Sequence, residues 1–339
     1  MGGKYRETDY LYASARVRAL EGKIAGADAL GRMTDARSPM EVMGMLPDYG
    51  FELIYRDGEG KGALLREETL ATALIAGYNE VSELAGDAKI AAFLQYPYDC
   101  NNIKAVIKCR SRGISPEGML IGFSSVPAQK VPELLRDEDY TPFPRHMREA
   151  IPEAIRAFAE SGNPQKVDLI LDRACYADML EQSESGGCAF AAELVRTKID
   201  LTNFLICLRL CRMNLQSAGL PLLKEALIPG GTLPAERFCE AYEGGEEKLA
   251  EMFSRDPKYS SLAALAGSNT ALSVAEKRVD NFWLAQAKRA RYVSFGAEAL
   301  IGYLVALEYE VKNIRMILAG KDAGLPREVI RERLRDCYV

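Results

Sequence analysis

Histidine is almost missing from this sequence: His146 is the only one in 339 residues. An imidazole base or a histidine-built metal centre therefore has a single candidate. It sits in a proline-rich connector, Pro142-Phe143-Pro144-Arg145-His146, which favours a surface or packed residue over a general base. The eight cysteines (Cys100, Cys109, Cys175, Cys188, Cys207, Cys211, Cys239 and Cys337) contain no C-x-x-C pair, so zinc held by closely spaced ligands is not indicated. Cys207 and Cys211 lie one helical turn apart in an apolar stretch, the pattern of buried, reduced thiols. Long hydrophobic runs are missing too. The longest, near 201–210 and 300–307, are too short to span a bilayer, and Arg209 interrupts the first. The N-terminus passes from Met1-Gly2-Gly3-Lys4 into charged residues, so no targeting signal is expected. Arg6 stands where a myristoylation motif wants Ser or Thr. No block of lysine and arginine appears, and the net charge of −5 is unlike that of most nucleic-acid binders.

Phosphate and metal motifs are equally scarce. The nearest approach to a P-loop, Gly58-Glu59-Gly60-Lys61-Gly62, lacks the hydroxyl residue after Lys and the leading spacing. It reads as an exposed turn. There is no aspartate-rich box of the kind a helical isoprenoid-type enzyme uses for magnesium, and carboxylates such as Glu328 and Glu332 recur at helix-surface spacing. No catalytic, cofactor-binding or metal-ligating residue is assigned, and an enzyme is not expected.

What is present is helix. Apolar residues make up 48% and charged residues 27%, an ordinary soluble balance, and the length allows one large body or two to three sub-domains. Ala, Leu, Glu, Arg and Met dominate between short Gly/Pro interruptions, without sustained strand-type alternation. Ser38-Pro39-Met40-Glu41 is a capping box. Pro116, Pro221 and Pro326 mark further helix starts, and Gly162, Gly320 and Gly324 mark stops.

Three segments share one pattern: Asp99-Cys100-Asn101-Asn102, Asp200-Leu201-Thr202-Asn203 and Glu310-Val311-Lys312-Asn313. Each is an acid, two variable residues, then Asn, and the asparagines lie 101 and 110 residues apart. Apolar positions match on both sides, among them Ile103, Phe204 and Ile314 just after the Asn, and Phe93-Leu94, Leu194-Val195 and Leu304-Val305 before it. These offsets trace one helix face, which predicts three copies of a long amphipathic helix. A preceding helix also matches at Val167-Asp168 and Val279-Asp280. Pro97 should kink or restart the first copy. The expected fold is all-α with pseudo-three-fold packing, since the period is too long for a familiar helical solenoid. At i and i+3 the acid and Asn share a face and can bond each other or a neighbouring helix end, a structural role.

Trp283, Phe282, Tyr292 and Phe295 are read as core by default. In the last helix Arg327, Arg331 and Arg335 form a basic stripe, a solvated face with the capacity to meet an acidic partner or lipid headgroups.

The opening Tyr10-Leu11-Tyr12-Ala13-Ser14-Ala15-Arg16-Val17-Arg18-Ala19-Leu20-Glu21 resembles that of the C subunit of the V/A-type rotary ATPases, whose eukaryotic counterpart is the d subunit. The end is closer still: Ile301-Gly302-Tyr303-Leu304, Glu308 to Asn313, Arg315-Met316-Ile317-Leu318-Ala319-Gly320-Lys321, Gly324-Leu325-Pro326 and Ile330-Arg331-Glu332-Arg333-Leu334 look like that family's C-terminal signature. Leu171-Asp172-Arg173-Ala174 resembles its middle segment.

The resemblance implies a funnel-shaped, all-helical, non-catalytic subunit without cofactor. Its cup receives the D and F subunits of the central stalk, and its base rests on the membrane proteolipid ring, so that it passes torque from the cytoplasmic side. The expected division is 1–135, 136–240 and 241–339, one helical repeat in each. The segments after the long helices, 111–125, 216–234 and 320–326, are the candidate contact surfaces. The alternative is a helical protein-binding scaffold outside any ATPase.

Overall fold

In a computed structural model, residues 7–56, 64–86, 90–213, 215, 218–267 and 270–339 are described. The Gly58 to Gly62 stretch, Gly2 and Gln216 lie outside them. Among the described residues there are sixteen α-helices: α1 (Leu11–Glu21), α2 (Ala27–Asp35), α3 (Pro39–Met45), α4 (Arg66–Ala85), α5 (Tyr96–Ser111), α6 (Val131–Arg136), α7 (Arg145–Ser161), α8 (Pro164–Ser185), α9 (Ala189–Met213), α10 (Gly219–Ala226), α11 (Ala235–Glu243), α12 (Gly245–Ser254), α13 (Ala264–Gly267), α14 (Leu272–Ala287), α15 (Ala297–Asp322) and α16 (Arg327–Arg333). One isolated bridge, Tyr55 to Leu64, is the only β pairing among them. The fold is all-α.

Several boundaries follow from local chemistry. At α3 the Ser38 hydroxyl accepts from Glu41 N, while the Glu41 carboxylate reaches back to Arg37 N at 2.7 Å. Gly162, left-handed at φ 61, ends α7, and the Asn163 side chain caps α8 through Gln165 N at 2.9 Å. Pro97 restarts the first long segment: α5 begins at Tyr96, and the preceding Ala92–Leu94 is only a 3-10 turn. Proline has no N–H to donate, so a first turn tolerates it at least cost, although Pro152 lies within α7.

Other positions depart from expectation. Pro116 opens a turn closed by Met119 N on Pro116 O, not a helix, because Gly118 at φ 79 diverts the backbone before a second turn forms. Pro221 falls inside the first turn of α10, and Pro326 directly precedes α16. Gly320 is not a stop. It lies within α15, where an added Cβ would come within 2.7 Å of Ile330, so its role is close packing of α16. The stop is Gly324, at φ 65: Leu325 N bonds Gly320 O and Gly324 N bonds Lys321 O. That is the paired closure of a Schellman motif, and Gly113 ends α5 with the same two bonds.

Among the long repeat helices α5 is amphipathic, with Asp99, Asn102, Ile103, Val106 and Ile107 buried on one face and Asn101 exposed on the other, whereas α15 is not. α15 runs 26 residues, about 39 Å at 1.5 Å per residue. Every residue from Ala299 to Leu307 is buried, which covers all faces. α1, α2, α3 and α4 pack on it from several sides. An all-round apolar helix is what a core position requires. α9 is likewise core, α8 packs on both α5 and α9, and α14 packs on both α9 and α15. Trp283 is core as expected, its indole N–H on Leu194 O at 3.0 Å, whereas Tyr292 is 91% exposed and Phe295 is exposed as well. All eight cysteines are free thiols.

Candidate functional site at the acid and asparagine repeat

The three acids and three asparagines are all buried, each 3% exposed or less. They point at irregular backbone. Asn102 takes both backbone groups of Ile121: Ile121 N donates to Oδ1 at 2.8 Å and Nδ2 donates to Ile121 O at 3.0 Å. Asn203 does the same to Ile228 (2.9 and 2.8 Å), and Asn313 to Arg335 (2.8 and 3.1 Å). A primary amide presents a donor and an acceptor side by side, so it substitutes for the strand or helix partner this backbone lacks.

The acids secure the next stretch of the same segments. Asp99 accepts Val126 N at 2.9 Å and the Ser125 hydroxyl at 2.5 Å. Asp200 accepts Leu233 N and Thr232 N, both at 3.0 Å, the Thr232 hydroxyl, and the Tyr259 hydroxyl at 2.7 Å. In both copies the acid's target lies five residues beyond the asparagine's. The two targets read Ile121-Gly122-Phe123-Ser124-Ser125-Val126-Pro127 and Ile228-Pro229-Gly230-Gly231-Thr232-Leu233-Pro234. The shared pattern, I-x-x-x-[ST]-[VL]-P, is the sequence signal that would have located these partners. The third copy differs: Glu310, one methylene longer, accepts Ala25 N at 2.6 Å, at the far end of the chain.

Burial sets the electrostatics. It pushes the Glu310 carboxyl up to about 8, opposed by the Ala25 N–H, and Asp99 up to about 6, opposed by Ser125 and Val126. One turn before the third Asn, Glu308 forms a node that sequence reasoning misses. Burial pushes it up to about 7, against hydrogen bonds from Tyr78 (2.5 Å) and Tyr98 and the charges of Lys198 and Lys312. Helices α4, α5, α9 and α15 all contribute to this node. Beside it, Asp280 binds Lys312 at 2.7 Å and Arg335 at 2.9 Å, with Lys198 at 3.7 Å. Burial pushes its pKa up, but Lys198 and Lys312 outweigh that and hold it below the usual carboxylate range.

Ion pairs link each long helix to another helix along its flank. Lys108 meets Asp168 at 2.5 Å (α5 to α8), Arg209 meets Glu276 at 3.0 Å (α9 to α14), and Arg315 meets Glu67 at 2.9 Å (α15 to α4). Exposed pairs of this kind contribute at most about 1 kcal/mol each. Their value here is registry.

His146 belongs to a fourth cap. Its backbone N–H and that of Met147 donate to the two oxygens of Asp178, both at 2.8 Å, and its Nε2 pairs with Glu181 at 3.0 Å. The ligand atoms of these three side chains fit within 4.8 Å of one another. Both Asp178 oxygens are nevertheless committed to the α7 N-terminus, so the arrangement reads as a helix cap with a satellite ion pair. The arginine stripe at the C-terminus is solvated at Arg327 and Arg331, both exposed, and is paired within the chain. Arg331 binds Asp35 at 2.6 Å, Arg327 binds Glu328 at 2.8 Å, and Arg335 binds Asp280. It is not a free face for an acidic partner, because acids of this chain already occupy it.

Buried side chains that order irregular backbone, with helix packed on helix, define an all-helical protein. Residues 13–333 match the family model for the ATP synthase (C/AC39) subunit, and the chain belongs to that family. It is 26% identical to the C subunit of the A-type ATP synthase of Methanocaldococcus jannaschii, over 96% of this chain and 86% of the relative. The corresponding A-type ATP synthase C subunit of Thermococcus gammatolerans is 24% identical, over 96% and 91%. The C subunit of the V-type sodium ATPase of Enterococcus hirae is 24% identical, over 76% and 78%. The chain is thus an accessory subunit of the A/V-type ATPase class. Among the described residues no helix is long and apolar enough to cross a membrane.

Proposed function

We propose that this chain is the non-catalytic central-stalk link of its ATPase, seated between the shaft formed by the D and F subunits and the membrane proteolipid ring. It passes torque between ATP chemistry and ion movement, from the cytoplasmic side and in contact with the membrane only through the ring. The observation that carries this reading is the family match across residues 13–333. A torque-bearing part must resist shear, and a core with helices buried on every face suits that demand. We further propose three pseudo-equivalent bodies, 1–135, 136–240 and 241–339, in a funnel. Two features support this: the order in which helices pack (α8 on α5, α14 on α9, α4 on α15), and the acid and asparagine positions repeated in α5, α9 and α15. In this arrangement the segments 111–125, 216–234 and 320–326, which follow the long helices, gather at one end and offer the contact surface. The ring's symmetry differs from three-fold, so a polar, hydrated interface would tolerate the mismatch.

The test is a pull-down of the tagged chain from its host's membranes, with bound proteins identified by mass spectrometry. Recovery of the D and F stalk proteins and the proteolipid is the expected result. Well-folded bait that recovers none of them, under conditions that preserve the complex, refutes the coupling role. Charge reversals in the three segments should weaken assembly; intact assembly would remove those segments from the interface.

A further inference from the structure

A groove of about 910 Å³ opens between the end of α5, the α6 region, α7 and the start of α8. Its floor is apolar, with Ile107 and Leu135 buried and Phe158 half-buried. Its rim carries Arg110, Arg112 and Arg156, all exposed. No carboxylate among the described residues pairs with any of the three. The fourth lining cation, Lys108, is committed to Asp168, and Glu138 is the one lining acid. Three unneutralised guanidinium groups around an apolar trough stand out in a chain whose net charge is −5.

We propose that this groove docks an acidic amphipathic helix contributed by another protein. An α-helix about 10 Å across, rising 1.5 Å per residue, displaces ~120 Å³ per residue, so the groove takes about two turns. Apolar side chains at i, i+3, i+4 and i+7 would cover the floor. Carboxylates flanking that stripe would meet the arginines, whose planar forks accept bidentate pairing. Shape argues against a lipid surface as the occupant. A membrane is entered by protruding apolar groups, whereas the apolar residues here lie at the bottom of a concavity behind charged rims. The apolar floor argues against a small anion, which would use the cations alone.

The inference goes beyond the stalk reading and is tested separately from it, on the full isolated chain. A fluorescein-labelled 14-residue peptide of leucine and glutamate at amphipathic helical spacing is titrated by anisotropy, beside its lysine-for-glutamate counterpart. Binding of phosphatidylserine-containing vesicles is measured in parallel. The glutamate peptide should bind, weaken with added salt, and weaken at least 30-fold against the R110E/R112E/R156E variant. The A159W variant, which fills the groove without changing charge, should weaken it at least 10-fold. The lysine peptide should prefer the triple variant to the native chain. These four positions are exposed, and circular dichroism and melting check that the variants fold. Absent binding of the glutamate peptide overturns the proposal. So does equal binding to all three proteins, or arginine-dependent vesicle binding where the peptide fails. A negative result leaves the pull-down of stalk proteins unaffected, and a failed pull-down leaves the groove's affinity unaffected.

Discussion

Replacing Asn203 with leucine keeps the side chain's bulk and removes two hydrogen bonds at once. The Ile228 N–H and C=O then lose partners at 2.9 and 2.8 Å in a fully buried setting. A buried polar group left without a partner costs about 1–3 kcal/mol, so the pair costs about 2–5 kcal/mol once partial rearrangement is allowed for. The damage should be local first, because Asp200 still holds Thr232 and Leu233 a few residues on. Hydrogen exchange followed by mass spectrometry on peptides spanning 223–233 reads that local opening directly. At 1.4 kcal/mol per decade, exchange at Ile228 should accelerate roughly 30- to 4,000-fold, while α15 keeps its protection. The comparison variant is Asn102→Leu, whose bonds to Ile121 are only partly buried and where water can substitute. It should accelerate exchange around Ile121 by a smaller factor. If Asn203→Leu leaves the exchange of 223–233 within threefold of the native chain, the amide does not hold that segment and the reasoning fails.

Glu310 ionises with difficulty in the folded chain, so the native state binds its proton more tightly than the unfolded state does. Stability should therefore fall as pH rises from about 4.5 to about 8 and level off above, and Glu310→Gln should remove on the order of 4 kcal/mol of that fall, read as the difference between the two proteins' urea midpoints at pH 5 and pH 8.5. Asp280→Asn leaves Lys312, Arg335 and Lys198 without their shared carboxylate and should cost about 3 kcal/mol or more at pH 7, measured by the same denaturation. Gly302→Ala would place a Cβ 2.5 Å from the Tyr338 hydroxyl and 2.6 Å from the Ala290 Cβ; the forced repacking should cost about 1–3 kcal/mol, and unchanged stability would show that Tyr338 moves freely.

How much of this is legible in sequence depends on range. Signals within one turn are readable: the Ser38 box, the restart at Pro97, and the repeat of acid and Asn, whose residues are all buried. The partners are not readable from that pattern. Asn102 and Asn203 bond residues 19 and 25 positions on, in backbone with no regular period, and Glu310 bonds a residue 285 positions away. Gly320 and Gly324 look alike as stops because spacing alone does not reveal that Ile330 presses on the first. The arginine stripe is solvated at Arg327 and Arg331 as its spacing suggests, but its pairing is not readable because Asp35 is 296 residues from Arg331. Tyr292 and Phe295 illustrate the opposite error: aromatic type suggests core, and chain position leaves them exposed.

The departure of the third copy from the other two has a mechanical consequence. Asp99 and Asp200 each secure a segment that follows their own helix, and Asp200 also takes the Tyr259 hydroxyl. Glu310 instead reaches Ala25, just before α2. The Ser14 hydroxyl accepts from Gly296 N at 3.1 Å and donates to Gly296 O, while Arg18 donates to Ala290 O and Val293 O at the other edge of that junction. The first helices of the chain are thereby fixed to its last long helix by bonds to backbone, which do not slide as side-chain packing can. Shear between the start and end of the chain would have to break these bonds in concert, three of them in buried surroundings where each costs more to lose than in water. For the torque-bearing role proposed above, a tie where the chain's two ends meet matters because no covalent link crosses there, and the altered third clamp supplies one.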